Sequence, residues 1–184
     1  HAGHVNWAEE ARYGQSVRLA KVTSTLIQLG DNDNSEVIEA NAGKTVNVQV
    51  NRTFANDGYY YTLCLPFDLD AKKIGKALQI SSVTENVAEQ GMNVVFTEVT
   101  NLVAGQPYLV LPSENLTNPI FEGVKIVDTE GETTETVSGA GINITFTGII
   151  NGVGEQTNGT THYYVGNKGY LYNKPTAKLG LRAF

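Results

Sequence analysis

The chain has 184 residues, with 13 lysines and arginines against 19 aspartates and glutamates, and its formal net charge is −6. This length fits one domain, or one domain with a small appendage, and permits a core that needs no metal or disulfide. Because nucleic acids and anionic lipid surfaces attract basic proteins, the acidic balance argues against both as main partners. No apolar run approaches the ~20 residues that cross a bilayer, so we expect no membrane insertion.

Glycine, threonine, asparagine and valine dominate the composition, and charged residues make up only 17% of the chain. Threonine and valine favour strands, whereas glycine and asparagine supply the positive φ angles of tight turns. The sequence therefore predicts an all-β fold, an antiparallel β-sandwich of about ten short strands with one short helix. Residues 1–15 are predicted to be a linker or the remnant of a preceding region, and residues 16–184 the sandwich domain.

The first predicted elements lead to one clear strand. Residues 16–29 are strand-like with an ambiguous period, and residues 31–35 form a turn, because Asn and Asp bond their own backbone. Val46, Val48 and Val50 alternate with polar residues, which predicts a strand buried on one face.

A hairpin and a helix are predicted next. Asn56-Asp57-Gly58 carries a tight-turn signal, and residues 59–65 form an apolar run that fits a strand buried on both faces. We expect this strand to pair with the one at residues 46–50 and to end at Pro66, which has no N–H for a ladder. Residues 70–79 are the best helix candidate, with Asp70 as cap and Ile74, Ala77 and Leu78 on one face.

The remainder alternates between strands and turns. Gly166-Asn167-Lys168-Gly169 is predicted to turn a hairpin between tyrosine-rich strands. The predicted strands of this part are Met92 to Val99, Pro107 to Leu111, Ile120 to Val127, Ile142 to Thr147, Thr161 to Val165, Gly169 to Tyr172 and Leu179 to Phe184.

No constellation of catalytic residues stands out, and we expect no enzyme, no metal and no cofactor. Cys64 lies in an apolar run and is interpreted as a small buried side chain rather than a reactive thiol. His1 and His4 lack a third ligand nearby, and His162 fits an ordinary strand position. Residues 31–36 have oxygen ligands at alternate positions, as calcium loops do, but Glu36 and Ala42 stand where an EF-hand needs Gly and Glu. A plain turn is preferred there, and structural calcium remains the alternative.

The tyrosines give the most informative functional hint. A row of tyrosines on a sheet face can stack on sugar rings or anchor a protein partner, because each ring is rigid and apolar with a polar tip. Alternation turns about half of them inward, so the alternative is that they merely fill strand positions. The candidate ligand-binding residues are Tyr59, Tyr61, Tyr163, Tyr164, Tyr170 and Tyr172.

The run Tyr60-Tyr61-Thr62-Leu63-Cys64-Leu65-Pro66-Phe67 resembles a motif of a β-rich C-terminal module of secreted and cell-surface proteins from Bacteroidetes, written W/Y-x-T-L-C-L-P-F. Residues 103–110 are similar to its AG-x-P-Y-L segment, and residues 180–184 to its closing F-R-A-Y-F strand, with Leu181 where Phe is more usual. The resemblance spans about residues 27–184. It implies export, attachment to large multidomain surface proteins and a β-rich fold, gives Cys64, Pro66 and Phe67 structural roles, and brings no catalytic residues.

The leading hypothesis is a non-catalytic domain of a bacterial cell-surface protein that acts in adhesion or binds an extracellular glycan or protein. Its binding surface is expected to be a sheet face or loop rim rich in Tyr, Asn and Thr. Its other partners are expected to be further domains of the same protein. The first alternative is a purely structural spacer, and the second is a fragment of a glycan-processing enzyme, which needs two carboxylates facing each other across a cleft.

Overall fold

The computed structural model describes residues 24–31, 33–88, 91–128 and 134–150, and the backbone of residues 132–133, 164–165, 171–172 and 182–183. These residues are mostly β-strands, which form several antiparallel sheets, and they include one α-helix. The predicted all-β, sandwich-like class is therefore confirmed. The predicted linker at residues 1–15 lies outside the described residues.

The described elements begin with β1 (Leu26–Leu29), α1 (Ser35–Asn41), β2 (Thr45–Val50), β3 (Thr53–Phe54), β4 (Tyr61–Cys64), β5 (Leu69–Asp70), a 3₁₀ turn (Ala71–Lys73), β6 (Gly75–Asn86), β7 (Gly91–Val99) and β8 (Asn101–Leu102). They continue with β9 (Pro107–Pro112), β10 (Leu116–Thr117), β11 (Ile120–Lys125), β12 (Glu132–Gly139), β13 (Ile142–Ile149), β14 (Tyr164–Val165), β15 (Leu171–Tyr172) and β16 (Arg182–Ala183).

A four-stranded antiparallel sheet in the order β4-β9-β6-β7 forms the centre. The sheets β1-β2-β11 and β12-β13-β16 lie beside it, and two-stranded ladders join β3 to β10, β5 to β8 and β14 to β15. Among the described strands, every ladder is antiparallel except that of β1 and β2, which run parallel because α1 carries the chain back between them.

One face of the central sheet carries the main core. Strand alternation places four buried side chains on this face, namely Leu63, Tyr108, Val110 and Ala77. They form one cluster with the inward residues of the β1-β2-β11 sheet, which include the predicted buried set Val46, Val48 and Val50. Burial of apolar surface at this face is the largest stabilising contribution visible in the fold.

The opposite face of the central sheet packs against the β12–β13 hairpin. Ile80 and Phe146 are buried there, and Leu109, Val137 and Ile144 pack around them. The rings of Phe96 and Phe146 meet edge-on, with centroids 5.7 Å apart. The central sheet is therefore covered on both faces along part of its length.

The predicted helix at residues 70–79 is wrong. Asp70 does act as a cap, since its carboxylate accepts the Lys72 N–H at 2.9 Å, but only a 3₁₀ turn follows. Gly75 then adopts a φ of +135°, which ends helical geometry, and β6 pairs with β9 and β7 on its two sides. The helix that does form is α1, which begins after the predicted turn and buries Ile38.

The predicted pairing of the strand at residues 46–50 with that at residues 59–65 is also wrong. The tight turn exists, with Gly58 at a φ of +80°, but it joins β3 to β4, and β3 pairs with β10. β4 pairs with β9, whereas β2 lies between β1 and β11. β4 is buried on both faces, as predicted, and ends before Pro66.

Gly75 provides a direct test of this chain path. A Cβ at this position would collide with the Leu111 carbonyl oxygen and the Ser113 nitrogen, and alanine rarely adopts the required φ. We expect Gly75→Ala to lower the free energy of unfolding by about 3 kcal/mol in denaturant titrations. The matched control is Gly30→Ala, whose Cβ meets only Asn51 Cβ at 3.8 Å and which should cost less than about 0.5 kcal/mol. Equal losses in the two variants would contradict the path.

Candidate functional site

The segment of residues 55–60, called here the Asp57 loop, is organised by one carboxylate. Asp57 Oδ1 accepts the backbone N–H of Tyr59 at 3.1 Å, and its Oδ2 accepts the Tyr61 hydroxyl at 2.9 Å. The same hydroxyl accepts the Ala55 N–H at 3.2 Å. These bonds connect the beginning, middle and end of the loop, so its shape is fixed without any ligand.

A cationic and aromatic base lies under the loop. The Phe54 and Tyr61 rings meet edge-on, with centroids 5.8 Å apart, and the Arg52 guanidinium carbon lies 5.1 Å from the Phe54 centroid and 6.0 Å from that of Tyr61. Arg52 Nη1 also donates to the Thr62 carbonyl at 2.5 Å. Guanidinium groups favour aromatic faces at such distances, so these contacts join the segment that precedes the loop to β4.

Two asparagines form a polar rim beside the loop. The Asn56 N–H donates to Asn115 Oδ1 at 2.8 Å, and Asn56 Nδ2 donates to the Ser113 carbonyl at 3.0 Å. Within the described part of the chain, no partner occupies Asn56 Oδ1 or Asn115 Nδ2, and both residues are exposed. The rim therefore offers one fixed acceptor and one fixed donor to solvent.

Tyr59 is the exposed ring of the loop, with 36% of its surface accessible. Tyr61 is half-buried and packs against the main core. Burial raises the pKa of the Tyr61 hydroxyl, and the hydrogen bond to Asp57 raises it further. The phenol therefore keeps the proton that it donates to Asp57. An exposed tyrosine ring is suited to stacking on a sugar, and amide groups are suited to bonding sugar hydroxyls.

The structure brings the candidate tyrosines together in pairs. Tyr59 is exposed in the Asp57 loop, and Tyr61, at the start of β4, supports the loop through its hydroxyl. Tyr164 and Tyr172 are directly opposite each other in the β14–β15 ladder, as the predicted hairpin requires. Tyr163, Tyr170 and the turn at residues 166–169 lie outside the described residues.

Arg52, Asn56 and Asn115 were not predicted from the sequence as parts of this site. Asn115 is 59 residues from Asn56 in the chain, and only the β3–β10 ladder brings the two together. No local pattern signals that contact. The proximity of Arg52 to Tyr61 follows from the fold in the same way.

The turn at residues 31–36 has a structural role. Asn34 is buried, with Oδ1 accepting the Gly30 N–H at 3.0 Å and Nδ2 donating to the carbonyls of Gly30 at 3.0 Å and Ile150 at 2.9 Å. Asp33 Oδ1 accepts the backbone N–H and the hydroxyl of Ser35 at the start of α1. The turn therefore joins β1, α1 and the end of β13.

Other candidate groups fall into three classes. Cys64 is buried, as predicted, and its Sγ donates to the Gly105 carbonyl at 3.3 Å. Among the described residues, no three His, Cys, Asp or Glu side chains are grouped so as to hold a metal ion, and no helix is long and apolar enough to span a membrane. All three histidines, His1, His4 and His162, lie outside the described residues.

A shallow cleft of about 510 Å³ lies at the far end of the central sheet, between the tips of two hairpins. β6 has one end at this cleft and the other end beside the Asp57 loop. The length of the strand separates these two ends by about 30 Å. The lining residues of the cleft are Glu85, Val87, Gly91, Met92 and Ala140. Glu85 is the one carboxylate among these described lining residues.

Comparison with protein-family models, curated proteins and solved structures finds no match to the chain.

Replacing Asn34 tests the role of the turn at residues 31–36. Asn34→Ala leaves the Gly30 and Ile150 backbone groups without their partner, so we expect the free energy of unfolding to fall by about 2–3 kcal/mol. The matched control is Asn101→Ala, which removes an exposed amide bonded only to Thr100 and should cost less than about 0.5 kcal/mol. A rise in the wild-type melting temperature on adding calcium would contradict the structural interpretation and favour a calcium loop.

The buried Tyr108 is expected to make the free energy of unfolding depend on pH. Burial raises the pKa of its hydroxyl above the ordinary value of 10.0, and the hydrogen bond from Val103 N–H at 2.9 Å opposes this effect. Above that pH the unfolded chain loses a proton that the folded protein keeps, so the free energy of unfolding falls as pH rises. We expect a shallower decline for Tyr108→Phe in denaturant titrations between about pH 9 and 11. An unchanged slope would contradict this origin.

Proposed function

We propose that this chain is a non-catalytic binding domain of a bacterial cell-surface protein, which acts in adhesion by binding an extracellular ligand at the Asp57 loop. The observation that carries the proposal is the exposed Tyr59 ring on a loop whose rim presents Asn56 Oδ1 and Asn115 Nδ2. The resemblance of residues 60–67 to modules of Bacteroidetes surface proteins supports the extracellular location and the presence of companion domains.

A glycan is the ligand class that these groups favour. Sugar rings present apolar C–H faces that stack on tyrosine, and their hydroxyls both donate and accept hydrogen bonds. One ring, one acceptor and one donor match this chemistry. The internal bonds of Asp57 support preorganisation, since a loop that is already ordered loses little entropy on binding. An extracellular protein anchored by the same tyrosine is the other ligand class.

The site is small, and a single copy is expected to bind weakly. Repetition of such modules along a surface protein, or of the ligand along a polysaccharide, raises the effective concentration of each further contact. Weak single contacts therefore suffice for adhesion. No chemical step is required of the domain.

A glycan array probed with the folded chain tests the proposal. Tyr59→Ala is expected to weaken binding to any positive glycan by about tenfold, because truncating a central aromatic anchor typically costs more than about 1 kcal/mol. Tyr59→Phe keeps the stacking face and should retain most of the affinity. Asn56→Ala should also weaken binding, whereas Asn143→Ala, an exposed asparagine in β13, is the matched control and should not.

Three outcomes separate the alternatives. Absence of binding to glycans and candidate surface proteins by a folded sample favours the structural spacer. Binding that Tyr59→Ala and Asn56→Ala leave unchanged contradicts the assignment to the Asp57 loop. Release of shortened glycans during incubation contradicts the non-catalytic assignment and favours the enzyme fragment.

A further inference from the structure

The outer edge of β7 is a second surface of the molecule. β7 is the last strand of the central sheet, and no strand among the described residues pairs with its outer edge. It is nine residues long with a single charged residue, Glu98, whose carboxylate is bonded to Lys76 Nζ at 2.8 Å. A long edge strand with little charge is a ready template for pairing with another chain.

The other described sheet edges carry features that discourage such pairing. On β4, the Thr62 carbonyl accepts a hydrogen bond from Arg52 Nη1. On β11, a register shift separates Phe121 from Val124. β12 includes the charged residue Glu135, and β1 has only four residues. Bulges, charges, capping side chains and short length are the usual protections of edge strands. β7 has no register shift of its own residues, is nine residues long, and has one charged residue, Glu98, which is paired with Lys76.

Apolar side chains are concentrated along the same strand. Met92, Val94 and Val95 are 36–38% exposed, and Val87 in the adjoining turn is 77% exposed. This concentration is unlike the scattered single apolar residues of an ordinary surface.

The backbone groups that face outward can be assigned from one hydrogen bond. Ser81 Oγ of the neighbouring strand donates to the Val95 carbonyl at 3.0 Å, so the Val95 carbonyl points towards β6. Because backbone groups alternate in direction along a strand, the N–H and C=O groups of Met92, Val94, Phe96 and Glu98 point to the outer edge.

We propose that β7 pairs antiparallel with β7 of a second copy of this chain, about a two-fold axis at Val95, so that two central sheets form one eight-stranded sheet. In this register Val94 is opposite the partner's Phe96, and Glu98 is opposite the partner's Met92. The two Glu98 carboxylates are therefore kept at opposite ends of the ladder. No pair of residues across the interface then brings two charges opposite each other. The strand is therefore complementary to a second copy of itself.

The central position of Val95 makes the proposal testable by charge. Val95→Lys or Val95→Glu places two like charges directly opposite each other, which destabilises a ladder. An equimolar mixture of the two variants places opposite charges there. Thr84→Lys, an exposed position on the neighbouring strand β6, is the matched control, and circular dichroism verifies that each variant is folded.

Sedimentation velocity over a concentration series provides the readout. The wild-type chain and Thr84→Lys are expected to show a concentration-dependent species of twice the 19.9 kDa monomer mass. Each Val95 variant alone should weaken this association at least about tenfold, and the mixture should restore it. A wild-type chain that stays monomeric at its highest soluble concentration overturns the proposal. So does a dimer that both Val95 variants form as well as the wild type. Glycan binding at the Asp57 loop is expected to be unchanged in either case.

Discussion

The burial of both faces of the central sheet is the constraint on which the rest of the structure depends. Leu63, Val110 and Ala77 lie on one face, and Leu109 and Ile80 belong to the cluster on the other. A strand that alternates apolar residues onto two faces needs a cover on each, and the chain supplies two further sheets. The short β3–β10 and β5–β8 ladders and the turns at the ends of the sheet are placed by this arrangement.

The same constraint determines where recognition is possible. Residues in the covered half of the sheet contribute to the core, so the exposed Tyr59 lies in a loop, and four exposed apolar residues lie at the distal β6–β7 hairpin. The Asp57 loop lies between β3 and β4, just before the chain enters the core, and its hydrogen bonds fix its shape. The outer edge of β7 lies where the cover of the central sheet ends.

Local patterns predicted the strands well and their partners poorly. Val46, Val48 and Val50 signal a one-sided strand through period-two alternation, and the apolar run at residues 61–64 signals a strand covered on both sides. The helix was misplaced because Ile74, Ala77 and Leu78 have helical spacing, whereas pairing with β9 and β7 overrides so weak a propensity. The partner of β4 is more than 40 residues away in the chain, and no hairpin signal reports it.

The candidate site was predictable only in part for the same reason. Tyr59 and Tyr61 stood out by composition, but they are two residues apart, so alternation alone places them on one face and does not explain why Tyr61 packs against the core while Tyr59 is exposed. Arg52 and Asn115 reach the loop through tertiary pairing, so the sequence alone could not assign them. The Asp-Gly pair indicated a turn, as such pairs generally do. Nothing in the pair indicated in addition that Asp57 supports the loop.

Residue-resolved hydrogen exchange tests the central claim most directly. β9 is paired on both sides and covered on both faces, so its amides are expected to exchange slowest, at the rate set by global unfolding. Amides of the β1-β2-β11 sheet and of the β12–β13 hairpin should exchange at least as fast as those of β9. If β9 amides exchange faster than those of either flanking sheet, the central sheet is not the element on which the fold depends, and the account is contradicted.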